Sequence, residues 1–221
     1  MTLKIVGNVT RDTIYLQNGD VIERDGGICN ILRNVHVSCD IHPTDAAAAM
    51  VFIDHGVKDS YVSWNRKIKN ADYRPSFWAH ISYLDCLDVN LEAINSQIIS
   101  ADLCQPDYSY HERHALLDQL EHVNWLIVDQ QSLDALKKFP RVQSGVIART
   151  DQFVTVYRNG AKYEYPNRFI EVDNPVGAGD AFVAEFLNQV SQRGYPRLNE
   201  ARMIHACVES SIAYLRRQNA R

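Results

Sequence analysis

The chain has 221 residues, 46% of them hydrophobic, 10% aromatic and 23% charged, a balance that excludes disordered, collagenous and low-complexity classes. Its net charge of −4 comes without a basic run, which argues against a nucleic-acid partner, and no stretch approaches the ~18 apolar residues of a membrane helix. The five cysteines, Cys29, Cys39, Cys86, Cys104 and Cys207, are odd in number, scattered and without a CxxC pair, so they read as thiols in a reducing compartment.

From the N-terminus, Leu3 to Val6 is a short apolar run ending at Gly7-Asn8, the pattern of a buried strand that leads into a loop. This opening has neither the apolar core of a signal peptide nor the Arg-rich pattern of a transit peptide, and a cytoplasmic location is expected. Residues 13–24 carry an Asn18-Gly19 turn between β-prone arms, a hairpin signal. Gly26-Gly27 then precede the apolar stretch Ile28-Cys29-Asn30-Ile31-Leu32, a loop entering a short helix. A second hairpin is expected over 50–64, with its polar turn over 54–59.

Beyond residue 75 strands alternate with helical stretches. The expected strands are His80 to Leu84, Ile98 to Asp102, Trp125 to Val128 and Gly145 to Ala148, and the helices are Leu91 to Ser96, His111 to His122 and Ser132 to Phe139. Such alternation predicts βα units and a mainly parallel sheet. A β pair over 153–165 and two helices, about 178–192 and 198–217, complete a single α/β domain spanning 1–221.

The most informative stretch is Asn174-Pro175-Val176-Gly177-Ala178-Gly179-Asp180-Ala181-Phe182, a glycine turn running into an apolar-periodic helix. Unpaired amides and the positive end of the helix dipole favour an anion there, and Gly177 and Gly179 allow close approach. Asp180 in the first turn is either a general base for a hydroxyl that attacks phosphorus or an acid that merely suits the dipole. No GxxxxGK[ST] phosphate loop is present.

This stretch resembles the C-terminal DTxGAGDxF-type signature of the PfkB carbohydrate kinases, the ribokinase family, with Asn174 at its first position. Gly7 to Asp12 is similar to that family's opening segment, Gly26 to Asn30 to its acceptor-site motif of paired glycines and Asn, and Ser100-Ala101-Asp102 to its central strand ending in Asp. The resemblance implies a ribokinase-like three-layer α/β fold with a mainly parallel central sheet and a small β lid made by the two hairpins. It implies ATP as donor, Mg²⁺, and a sugar or nucleoside hydroxyl as acceptor. By position it makes Asp180 the base and Gly177, Ala178 and Gly179 the anion hole. Asp12, Gly26, Gly27, Asn30 and Asp102 become acceptor contacts, and Asn174 and Arg149 nucleotide contacts, while the metal ligands stay unassigned.

Three departures motivate an alternative, a catalytically degenerate binding member of the same fold. Only about twenty residues separate Asn30 from Met50, which reads as a deletion of edge βα units and a narrower sheet. Asp129-Gln130-Gln131-Ser132 stands where the family has NxxE, and Ala148 to Phe153 lacks both glycines of TxGxxG, where Arg149 is either a compensating phosphate donor or a solvated surface side chain. His111 and His114, at helical spacing, lack a third metal ligand and read as solvated side chains. The apolar hairpin residues Ile14, Leu16, Phe52 and Tyr61 predict a homodimer through the lid.

Overall fold

Short apolar runs between polar turns become strands, because each is too brief to bury as a helix. In the computed structural model, residues 2–54, 57–69, 74–105, 107–168, 170, 172–193 and 200–220 are described. In chain order they form β1 (Leu3–Gly7), β2 (Val9–Tyr15), β3 (Val21–Gly27), α1 (Ile28–Leu32), β4 (Cys39–Pro43), β5 (Ala47–Asp54), β6 (Val57–Val62), β7 (Ser76–Ser82) and β8 (Ser96–Asp102). Then come α2 (Tyr110–Leu120), β9 (Trp125–Asp129), α3 (Gln130–Ala135), β10 (Gly145–Arg149), β11 (Phe153–Arg158), β12 (Ala161–Pro166), α4 (Ala178–Arg193) and α5 (Glu200–Asn219). The chain divides into two compact units.

The first unit comprises the described parts of Met1–Gly7, Ser38–Pro43 and Arg66–Asn167. It holds an eight-stranded sheet in the order β12-β11-β10-β9-β8-β7-β1-β4, parallel from β10 to β4, with β11 and β12 added antiparallel. Its interior strands are buried over most of their length, as parallel strands covered on both faces must be. Leu126, Val128, Val146 and Ala148 pack with Leu116, Leu120, Leu133 and Leu136 in its core. The interior is not wholly apolar. Trp78 Nε1 donates to Ser100 Oγ (2.9 Å), which also meets His80 Nδ1 (3.0 Å), and His80 Nε2 faces Asp102 Oδ2 at 3.5 Å. Helix α2 starts at a capping box between Ser109 and Glu112.

The second unit comprises Asn8–Val37, Thr44–Asn65 and the described parts of Arg168–Arg221. Its four-stranded sheet, β3-β2-β5-β6, pairs β2 with β5 in parallel and the outer strands antiparallel. Alternation along β5 puts Ala47, Ala49, Val51 and Ile53 inside and Met50 and Phe52 outside. Val51 and Ile53 join Ile14 and Val176 in a small core, while on the opposite face Tyr15 stacks on Phe52 at 4.9 Å and Tyr61 meets Phe52 edge-on at 6.2 Å. Helix α4 packs on α5 and α1.

Several boundaries differ from the sequence expectation. The first hairpin extends outward to residues 9–27, because alternating burial continues through Arg11 and Asp12. The second is Ala47–Asp54 with Val57–Val62, and its turn residues His55 and Gly56 lie outside the described residues. The expected helix at Leu91 to Ser96 is a single 3₁₀ turn, Leu91–Ala93, because Ser96 already belongs to β8. Helix α3 starts two residues early, where Asp129 caps it by accepting from Ser132 N at 2.7 Å, and it is over before Lys137, which has φ 54°. The segment between Asn30 and Met50, read as trimmed, contributes the additional parallel strand β4. Ile14, expected on an exposed face, is fully buried.

Candidate active site

In the second unit, the entry to α4 is a tight turn. Asn174 Oδ1 accepts from Val176 N at 3.1 Å, and the Asn174 backbone exchanges hydrogen bonds with the Asn219 side chain at 3.0 and 3.3 Å, which ties the turn to the end of α5. Gly177 has φ 93°, and a Cβ there would overlap the Tyr214 hydroxyl, so only glycine fits on both counts. Ala178 N donates to Pro175 O at 3.3 Å, so that amide is occupied within the turn. Gly179 lies in the first turn, where amides have no acceptor within the helix. Of the three residues assigned to an anion hole, Gly177 shapes the turn, Ala178 closes it and Gly179 presents its amide.

Asp180, in that first turn, is 7% exposed and accepts from Asn30 Nδ2 at 3.0 Å. Asn30, 2% exposed, accepts in turn from Arg33 Nη1 at 2.8 Å. Arg33 cannot accept, so Asn30 Oδ1 must face it, and the Nδ2 donor must face Asp180. Helix α1 can start at Ile28 because Gly27 has φ 59° and sits against the Asn8 carbonyl, to which Ile28 N donates at 2.8 Å. A Cβ at Gly26 would fall on the Asp12 carboxylate, which accepts from Thr10 Oγ1 at 2.6 Å. The unit therefore joins Asp180 directly to Asn30 and sets Asp12 against Gly26, four of the residues picked out in the sequence.

Arg24, Arg33 and Tyr214 carried no sequence motif. Arg24 donates to Val176 O (2.8 Å), Tyr214 OH (3.2 Å) and Gln218 Oε1 (3.0 Å), bracing the turn from β3. Tyr214 has its hydroxyl pushed up mainly by burial; Arg24 and Arg33 oppose the shift and Asp180 adds to it. Burial and the charges of Asp25 and Asp12 raise the Cys29 thiol against Arg33. The periodicity of α5 marks Tyr214 only as a buried position.

In the first unit, Asp102 is buried and accepts from Ser82 Oγ at 3.5 Å and from Tyr83 N. Arg149 is half-buried at the end of β10. Beside Asp102, Asp85 accepts from Cys104 N, Gln105 N and Tyr108 OH, and Cys86 Sγ lies 3.3 Å from Cys104 Sγ. Burial raises the Asp85 carboxyl against the pull of these donors. Asp85, Cys86 and Cys104 are the one group of three close metal-ligand donors among the described residues, and their sulfur content does not suit Mg²⁺. The Asp129 carboxylate caps α3. His111 and His114 are exposed and pack edge-on against Tyr110. No described helix is long and apolar enough to cross a membrane.

No family model matches the sequence, and no curated protein matches it. Solved structures do match. An uncharacterized sugar kinase from Pyrococcus horikoshii superposes with a TM-score of 0.74 at 11% identity, over 96% of this chain and 90% of that one. A nucleoside kinase from Methanocaldococcus jannaschii, an archaeal member of the ribokinase family, gives 0.65 at 18% identity over 95% and 90%. A pyrophosphate-dependent kinase in the ribokinase family, complexed with a pyrophosphate analog and myo-inositol, gives 0.66 at 15% identity over 99% and 98%. The chain has a ribokinase-like α/β fold.

Proposed function

We propose that the chain is a phosphotransferase of the PfkB carbohydrate kinase type, moving the terminal phosphoryl group of ATP to a hydroxyl of a small sugar or nucleoside. The observation that carries this reading is the buried Asp180 carboxylate, oriented by Asn30 in the first turn of a helix whose entry only Gly177 can make. The hydroxyl oxygen attacks the terminal phosphorus, its proton passes to Asp180, and ADP leaves with the bridging oxygen. Asp12, Asn30 and the Gly26-Gly27 backbone hold the acceptor. The Gly179 amide and the positive end of α4 take phosphoryl oxygens as charge builds. Asn174, at the entry to α4, contacts the nucleotide, and Mg²⁺ supplies positive charge to the phosphates when bound.

The four-stranded sheet serves as a lid that excludes water. Its outer face, with Tyr15, Met50, Phe52 and Tyr61 all exposed, joins a second copy of the chain. The working location is the cytoplasm. The capping role of Asp129 favours a second reading, a binding member without turnover, since that carboxylate is committed to α3. ATP consumption with Mg²⁺ across sugars, sugar acids, amino sugars and nucleosides decides between them. Acceptor-dependent turnover supports the kinase; ATP binding with no turnover by any acceptor supports the second reading.

A further inference from the structure

One guanidinium beside Asp180 has donors to spare. Arg33 is exposed, and among the described residues its single side-chain hydrogen bond is the one Nη1 makes to Asn30 Oδ1 and it forms no ion pair. Arg24, the other cation of this cluster, bonds only neutral partners, Val176 O, Tyr214 OH and Gln218 Oε1. Asp12 accepts from Thr10 and Asp180 from Asn30, and neither guanidinium forms an ion pair among the described residues. A guanidinium presents its donors in a planar fork that matches a carboxylate or a phosphate.

Distance sets the size of what can bridge. Two hydrogen bonds in series across one amide, 3.0 and 2.8 Å, place the Arg33 guanidinium at most roughly 8 Å from the Asp180 carboxylate. A compound with its reacting hydroxyl at Asp180 and an anionic group on the Arg33 fork is then a short polyol chain. Resting on the kinase reading of this site, we infer that the acceptor is anionic, a small sugar acid or sugar monophosphate, and that Arg33 is the residue that selects its charge.

The test is calorimetric binding with three matched probe sets, each a neutral sugar, its terminal carboxylate and its terminal monophosphate (ribose, ribonate and ribose 5-phosphate; glucose, gluconate and glucose 6-phosphate; arabinose, arabinonate and arabinose 5-phosphate). They are titrated into the full chain, Arg33→Met and Arg33→Lys. The parent is expected to bind one anionic probe roughly 10- to 100-fold tighter than its neutral counterpart, the size of one charge-assisted forked contact. Arg33→Met should remove that preference, Arg33→Lys should restore part of it, and which anion is preferred identifies carboxylate or phosphate. Equal affinity for charged and neutral probes, no binding of any probe, or a preference that survives Arg33→Met overturns the inference. Turnover measured in parallel separates the two claims. Arg33-dependent binding of an anionic probe without ATP consumption removes the kinase and keeps the anion site, and turnover confined to neutral acceptors does the reverse.

Discussion

Asp180 is the proposed base and the partner of Asn30, and two substitutions at that position separate the roles. Asp180→Asn removes the proton acceptor but keeps an oxygen that can accept from Asn30 Nδ2 at the same place. The bond changes from charge-assisted to neutral, a loss of about 1 kcal/mol. Asp180→Ala removes the oxygen as well. It leaves Asn30 Nδ2 without its acceptor at a residue only 2% exposed, and Arg33 holds the amide so that it cannot turn to relieve the loss. An orphaned buried donor costs about 1–3 kcal/mol, or roughly 2–4 °C of melting temperature per kcal/mol in a chain of this size. Turnover behaves differently, since both variants lack the base and both should fall about 10²- to 10⁴-fold. Thermal melting and ATP consumption on the same preparations read the two effects. Asp180→Asn retaining more than about a tenth of parental turnover would refute the base assignment, and Asp180→Ala melting with Asp180→Asn would refute the Asn30 argument.

Other substitutions test the supporting geometry. Gly27→Ala places a methyl against the fixed Asn8 carbonyl at φ 59° and should cost at least about 2 kcal/mol in denaturant unfolding. Gly26→Ala meets the movable Asp12 carboxylate instead, so the fold should survive while KM for the acceptor rises; an unchanged KM removes Asp12 from the acceptor site. Asp85 is raised above its ordinary 3.8 by burial, so the folded chain holds that proton more tightly than the unfolded one. The favourable contribution of this group is complete below about pH 3.8 and is lost as pH rises through the folded value, so the stability of the parent relative to Asp85→Asn should fall from acid toward neutral pH; a flat difference contradicts the burial argument. Phe52→Asp with Tyr61→Ser, on the outer face of the four-stranded sheet, should give monomers by sedimentation without altering the melt of the inner Ile14, Val51 and Ile53 core; a parent chain that is already monomeric removes the proposed dimer.

Where one physical preference acts alone, the sequence is easy to read. Strand β1, the alternation from β7 to β10, and helices α4 and α5 follow from apolar period and turn chemistry. The candidate site is legible at its glycines, because Gly26, Gly27 and Gly177 each sit where a Cβ meets another residue. Strand β4 is different. Cys39-Asp40-Ile41-His42-Pro43 has no apolar run, and it becomes a strand because β1 offers it a free edge. Lys4 makes the same point inside the sheet. It is fully buried in β1, its Nζ reaches the Arg74 carbonyl at 2.7 Å, and burial lowers its ammonium below the ordinary value.

The bracing of the turn that enters α4 belongs to this second kind. Arg24 and Tyr214 stand 190 residues apart, and neither has a local signature, yet both meet at the α4 entry. Periodicity can place Tyr214 on the inner face of α5 but cannot say that its ring fills the space a side chain at residue 177 would need. Nor can spacing along α1 reveal that the Arg33 to Asn30 contact sets which end of the amide faces Asp180. A motif records residues whose neighbours in sequence are their partners in space. The residues that orient Asp180 are recruited across the fold, so their roles follow from hydrogen-bond direction, which only the folded chain defines.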